Sequence, residues 1–246
     1  MIIAQCVEER GILPRGLAHP ILFQSGSEAL GNIGGSNEGL SEFETFGAVM
    51  VTPKNYYRLM ESGQNALLFP GGVREVFHGK DEAYQLFWPE KVDFVRIAAR
   101  FNATVVPLSA VGAADSVNIL IDAPDILKLP FGIGERAANS SANTISARFN
   151  VNNEGELFQP PFALPKLLPA RHYFVFGKPM STENINYKDK AACDDFYQNV
   201  KGEMQRGFDD VLRAREKDPF KNTASRLRHE ALTGKKAATF SIDELN

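Results

Sequence analysis

Short apolar runs, each stopped by proline or glycine, alternate with amphipathic stretches along the first half of the chain. Residues 2–10 read as a helix with no N-cap before it, ended by Gly11. Residues 15–23 read as a strand broken at Pro20, and 46–52 as a second strand stopped by Pro53, since proline has no N–H to give a ladder. Residues 55–61 form a short helix with Gly63 as its C-terminal signal. Ala66, Leu67, Leu68 and Phe69 are an apolar run of the length of a buried strand. Residues 90–101 are amphipathic at helical period, with Val92, Val95, Ile97, Ala98, Ala99 and Phe101 mostly on one face and Arg96 and Arg100 on another. Residues 104–111 are a strand interrupted by Pro107. This alternation predicts an α/β fold, a mixed and largely parallel sheet flanked by helices.

The second half is less regular. Residues 117–121 fit a strand or a short helix. Residues 124–134 and 157–169 are apolar but punctuated by proline and glycine, so irregular loops are expected there, on the core, on a membrane surface or lining an acyl pocket. Residues 135–146 are polar and read as disordered, and 172–176 as a strand. From Lys188 to Arg215, Phe196, Val200, Met204, Phe208, Val211 and Leu212 recur at helical spacing, which predicts a long C-terminal amphipathic helix facing the core. The expected organisation is one domain over 1–220, with 24–42 as a mobile Ser/Gly/Asn-rich loop or insertion and 221–246 as a flexible tail.

Composition narrows the functional classes. The net charge of −3 supplies no global basic field, so nucleic acid is not an expected partner. No apolar run approaches the length that spans a bilayer, and residues 1–6 turn polar too soon for a signal peptide. Cys6 and Cys193 match no metal spacing and read as reduced thiols. The four histidines, His19, His78, His172 and His229, make no metal pair, and no metal or cofactor is expected. A Gly-x-Ser-x-Gly elbow and a phosphate-binding Gly-x-x-x-x-Gly-Lys loop are both absent.

The candidate chemistry gathers after the third predicted strand, in Phe69-Pro70-Gly71-Gly72-Val73-Arg74-Glu75. Carboxyl ends of strands are where α/β proteins bind ligands. Glycines let backbone N–H groups approach an anion, and an arginine fork can hold phosphate or carboxylate. Equally, Arg74 fits a salt bridge to Glu75 or to a neighbouring helix. His19, at the end of the first predicted strand, fits either a general base near neutral pH or a structural histidine.

Those residues also carry a resemblance. The 69–75 block, Tyr84-Gln85-Leu86-Phe87-Trp88-Pro89-Glu90, the run 94–101, Val106-Pro107, Arg15-Gly16-Leu17-Ala18-His19-Pro20, Phe46-Gly47-Ala48-Val49, Phe176-Gly177-Lys178-Pro179 and Asp218-Pro219-Phe220 closely resemble the plant and algal phytyl ester synthase family, which carries a diacylglycerol-acyltransferase-type domain. The resemblance covers most of residues 11–220. It implies a glycerolipid-acyltransferase-like fold. It implies an O-acyltransferase taking a fatty acyl group from acyl-CoA, acyl-carrier protein or a glycerolipid to phytol or diacylglycerol. It also implies lipid partners, a membrane surface or plastoglobule, and a plastid setting.

By the same resemblance, Phe69, Pro70, Gly71, Gly72, Arg74, Glu75 and Pro107 would line the acceptor site. Gly71 stands where more distant glycerolipid acyltransferases carry a glutamate that contacts the acceptor phosphate, which suits a neutral acceptor. The superfamily's His-x-x-x-x-Asp base is missing from all four histidines. Either the chain is a truncated piece whose base precedes Met1, as the uncapped first helix suggests, or His19 serves. The alternative from another class is a non-catalytic lipid-binding or regulatory domain.

Overall fold

The structure is a computed structural model and describes residues 2–23, 42–76, 78–90, 94–128, 145–146, 157–158, 161–168 and 170–240. The loop expected over 24–42 therefore lies outside the described residues apart from its last residue, as do most of the segments expected to be irregular or disordered between 129 and 160.

In chain order the elements are α1 (Ile2–Arg10), β1 (Arg15–Ala18), a 3₁₀ turn (Pro20–Phe23), α2 (Glu42–Thr45), β2 (Val49–Met50), α3 (Pro53–Glu61), β3 (Ala66–Leu67), α4 (Val73–Val76), α5 (Phe94–Arg100), β4 (Thr104–Val105), β5 (Leu108–Val111), β6 (Val117–Ile121), α6 (Ala123–Leu127), β7 (Ile145–Ser146), β8 (Leu157–Phe158), β9 (Phe162–Pro165), β10 (Tyr173–Phe176), β11 (Met180–Ser181), α7 (Lys190–Lys217) and α8 (Thr223–Thr233). Among these residues no helix is long and apolar enough to cross a membrane.

Local chemistry sets the boundaries. Thr52 caps α3, its Oγ1 accepting from Asn55 N at 3.0 Å, and Pro53 sits at the first helical position, where a missing N–H costs nothing. Asp122 and Asp125 form a reciprocal capping box on α6. Asp189 caps α7, accepting from Ala192 N at 3.1 Å.

The fold is mixed α/β, but only its first half is parallel. β1 is the middle strand of a three-stranded sheet in the order β2–β1–β3, parallel to both neighbours. The other pairings among the described residues, β5 with β10, β4 with β11, β6 with β9 and β7 with β8, are antiparallel. The expected largely parallel sheet is thus corrected to one small parallel sheet and separate antiparallel ribbons. The Pro107 break divides the predicted 104–111 strand in two, and the halves pair with different partners. The Pro-rich stretch 157–169 does contain strand. β9 pairs with β6 because its proline, Pro165, sits at the strand's end in a two-stranded ribbon, where a ladder can do without its N–H.

α7 is the spine joining the halves. Its first half contributes Cys193, Phe196, Tyr197 and Val200 to a core with Leu17, Tyr56, Leu59, Phe94 and Val95. Its second half contributes Val211 to a second core with Val111 and Tyr173, flanked by Phe208 and Leu212. The predicted stripe therefore faces inward along its whole length. Close approach to β5 depends on Gly207, where a Cβ would sit 2.3 Å from Ser109 Oγ.

The segment after 220 is not a loose tail through 240. α8 occupies Thr223–Thr233, and Phe240 stacks on Tyr173 with ring centroids 5.2 Å apart. Arg171 holds this return, donating to the carbonyls of Ala237 and Ala238 at 2.9 and 2.8 Å. Cys6 and Cys193 are not joined in a disulfide.

Candidate active site at the carboxyl edge of the parallel sheet

Three short strands run the same way and each is followed closely by a proline, Pro20, Pro53 or Pro70. Their carboxyl ends therefore line up on one edge. Register fixes who meets whom. Gly16 pairs with Leu67 and Ala18 with Met50, and Val51 N extends the β1–β2 ladder by donating to Ala18 O at 2.8 Å. His19 thus leaves the middle strand between the end of β2 and the Phe69–Gly72 turn that follows β3. Met50 and Phe69, the apolar residues at those flanking ends, are both exposed. His19 is half-buried, and burial alone pushes its pKa below the ordinary 6.5. Its imidazole is neutral at pH 7, the form that can accept a proton.

The turn after β3 is tightly built. Gly72 takes a positive φ of 60° and donates its N–H back to Phe69 O at 2.9 Å. Gly71 is buried, and a Cβ there would meet Glu75 Cδ at 2.1 Å and Glu75 Oε2 at 2.5 Å. The Glu75 side chain fills the space that a side chain at 71 would take, and its Oε1 accepts from Phe87 N at 3.2 Å.

Arg74 is clasped from the other side. Its Nη2 lies 2.5 Å from Glu82 Oε1, and its guanidinium sits 3.8 Å over the Phe87 ring. Glu82 reaches back through Oε2 to accept from Gly79 N at 2.5 Å, and the Arg74 hydrogen bond, the largest cause, holds its carboxyl below the ordinary range. Of the two sequence readings of Arg74, the geometry supplies an ion pair, with Glu82. Pro107 is buried between β4 and β5, where its carbonyl accepts from Gly177 N at 2.8 Å and its ring packs on Gly177. His78 lies beyond the turn, with Nδ1 2.9 Å from Gly79 O.

The Tyr84–Glu90 block reveals its role only in three dimensions. Tyr84 OH donates to Asp115 and accepts from Gly112 N at 3.0 Å, while Arg215 of α7 pairs with Asp115. Burial, the first cause, and the bond to Asp115 push the Tyr84 phenol up to about 12. Phe87 stacks under Arg74, Trp88 stacks on Tyr197 at 5.8 Å, and Pro89 O accepts from Tyr197 OH at 2.6 Å. The block ties the 69–75 turn to α7. Farther along, Asp218 accepts from Tyr173 OH at 2.6 Å and Arg171 Nη1 at 3.2 Å, locking the end of α7 to β10.

Two relatives match the chain by sequence. Over 228 residues the chain is 36% identical to phytyl ester synthase 1, chloroplastic, of Arabidopsis thaliana, covering 91% of this chain and 32% of that protein. By sequence, this chain is similar to a stretch of the phytyl ester synthases. It is also 34% identical over 237 residues to phytyl ester synthase 2, chloroplastic, of the same plant, covering 95% of this chain and 33% of the relative. The chain thus spans about a third of the length of these relatives. No family model and no solved structure matches it.

Sequence reasoning brought His19 and the 69–75 block forward separately, and the sheet register places them on one edge. It missed Glu82, Phe87, Tyr84, Asp115 and Arg215. For Phe87 and Tyr84 the signal was the Tyr84–Glu90 motif itself, with Glu82 just before it; Asp115 and Arg215 are distant in sequence and carried none.

Proposed function

We propose that the chain is an O-acyltransferase of glycerolipid-acyltransferase-like fold. It moves a fatty acyl group from acyl-CoA, acyl-carrier protein or a glycerolipid to phytol or diacylglycerol, in a plastid setting. The observation that carries this reading is the carboxyl edge of the parallel sheet. There a neutral histidine just past the central strand is flanked by exposed apolar residues, Met50 at the end of β2 and Phe69 just after β3. A long-chain alcohol needs such an edge: an apolar surface for the chain and a base for its single hydroxyl.

In this reaction His19 takes the proton from the acceptor hydroxyl as its oxygen attacks the acyl carbonyl carbon. The tetrahedral intermediate collapses by breaking the bond to the donor's sulfur or oxygen. The imidazolium returns the proton to that leaving group, so His19 ends neutral. Gly71, where more distant relatives carry a phosphate-contacting glutamate, suits a neutral alcohol as acceptor, and the Glu75 side chain packs against it. The acyl donor and the acyltransferase fold rest on the likeness to the family.

One observation favours a second reading, lipid binding without turnover: the polar anchor Arg74 is engaged by Glu82 and Phe87. Supplying the purified chain with acyl-CoA, acyl-carrier protein or galactolipid donors and either phytol or diacylglycerol separates the two. Ester formation is expected. Saturable phytol binding with no ester from any donor would leave the binding reading in its place.

A further inference from the structure

We propose that the β6–β9 ribbon and the bend after it dock the protein on an anionic lipid surface. Single exposed hydrophobic residues are ordinary, but a contiguous group is not. Leu120 and Ile121 of β6, Phe162 and Leu164 of β9, and Leu167 and Leu168 of the bend are all exposed, Leu167 fully so at 100%. Ile121 pairs with Phe162 and Asn118 with Leu164, so the exposed apolar residues share one ribbon.

The bend is built rather than loose. Lys166 N donates to Ser116 O at 2.9 Å, and Ala170 N donates to Ser116 Oγ at 3.1 Å. Ser116 Oγ in turn donates to Gly112 O at 2.8 Å, so the leucines are held outward from a fixed base.

Charge selects the partner. Within residues 117–128 and 161–172 the carboxylates are Asp122 and Asp125 alone. Asp122 is buried and accepts from Lys80 N at 3.1 Å, and Asp125 is paired with Lys80 Nζ at 2.5 Å. Lys128, just after α6, and Lys166, between β9 and the leucines of the bend, are both exposed. Exposed apolar side chains with lysines close by in the chain match the boundary between acyl chains and anionic headgroups, where lysine stems also cover apolar surface. The preference for lipid over a protein partner rests on the acyltransferase reading. The exposed ribbon and its charge do not.

The test is flotation of the full chain with vesicles of phosphatidylcholine mixed with phosphatidylglycerol, and with phosphatidylcholine alone. Binding to the mixed vesicles is expected, weaker to phosphatidylcholine alone and weakened by salt. Removing both leucines (Leu167→Ser with Leu168→Ser) is expected to cut partitioning by at least about tenfold per leucine, from the lost transfer of each side chain out of water. Leu232→Ser, exposed on α8, is the control and should bind as the parent does. Leu167→Trp gives a readout independent of the double variant's folding: the emission it adds to that of Trp88 should shift to the blue on the mixed vesicles. No flotation of the parent chain, flotation of a folded double variant at the parent level, or an unshifted emission from the Leu167→Trp variant would each overturn the proposal. So would a dimer that the double variant converts to monomer without any vesicle binding. Because flotation needs no turnover, failure here leaves the ester-forming assay to judge the acyltransferase reading separately.

Discussion

Replacing Gly71 by alanine tests the packing of the 69–75 turn on its most specific point. The new Cβ would lie 2.1 Å from Glu75 Cδ and 2.3 Å from Cγ, a separation that real atoms do not tolerate. Gly71 itself has no positive φ, so the backbone accepts alanine and the whole cost falls on Glu75. Swinging Glu75 away breaks its bond to Phe87 N, a charge-assisted hydrogen bond of about 1.5–3 kcal/mol. Reduced freedom of the unfolded chain offsets about 0.4–1 kcal/mol of that. The net loss is about 1–2 kcal/mol, or a Tm lower by about 2–8 °C at this chain length. The assay is a double-mutant cycle by thermal and urea unfolding, with Glu75→Ala as the second arm. In the Glu75→Ala background nothing remains to collide with, so Gly71→Ala should be neutral or slightly stabilising. An equal cost in both backgrounds would refute the placement of Glu75 over Gly71.

Arg74→Ala removes a half-buried ion pair and a guanidinium–ring contact, and should destabilise by about 2 kcal/mol in urea unfolding, with Arg74→Lys recovering only part because an ammonium cannot stack or fork. Glu82 gives a pH signature of the same clasp. Its folded pKa is lowered below the ordinary 4.5, so the stability it contributes is fully present above that value and is lost as pH falls through the lowered one. Glu82→Gln should therefore flatten the acid limb of the stability profile, read by urea midpoints across that range.

The sequence marked its turns well because proline and glycine act locally. Gly63 follows α3 as expected, while Pro53, read as a strand stop, opens the helix two residues before its expected start, and the Phe196–Leu212 stripe marked α7 and its buried face. Strand partners were another matter. Nothing in Leu108–Val111 says that its partner is Tyr173–Phe176, antiparallel and far along the chain; α7 packed beneath both strands makes that pairing. Proline hid β9, since a ladder at a ribbon's edge tolerates what a central strand does not. The segment after 220 looked loose because its anchors, Arg171 and Tyr173, lie elsewhere in sequence. At the site, the residues with recognisable chemistry, His19 and Arg74, were legible, while Phe87 was legible only as part of a motif and Glu82 only beside it.

If His19 is the base for acyl transfer, as proposed, the kcat/KM of phytyl ester formation against pH will differ between the parent chain and His19→Gln. With its pKa below 6.5, His19 should hold the parent profile flat above that pH and let it fall on the acid side as the imidazole protonates. A folded His19→Gln should lose about 10²–10⁴-fold in rate along with that acid limb. A folded His19→Gln that makes ester at the parent rate, with the same acid limb, would contradict the account.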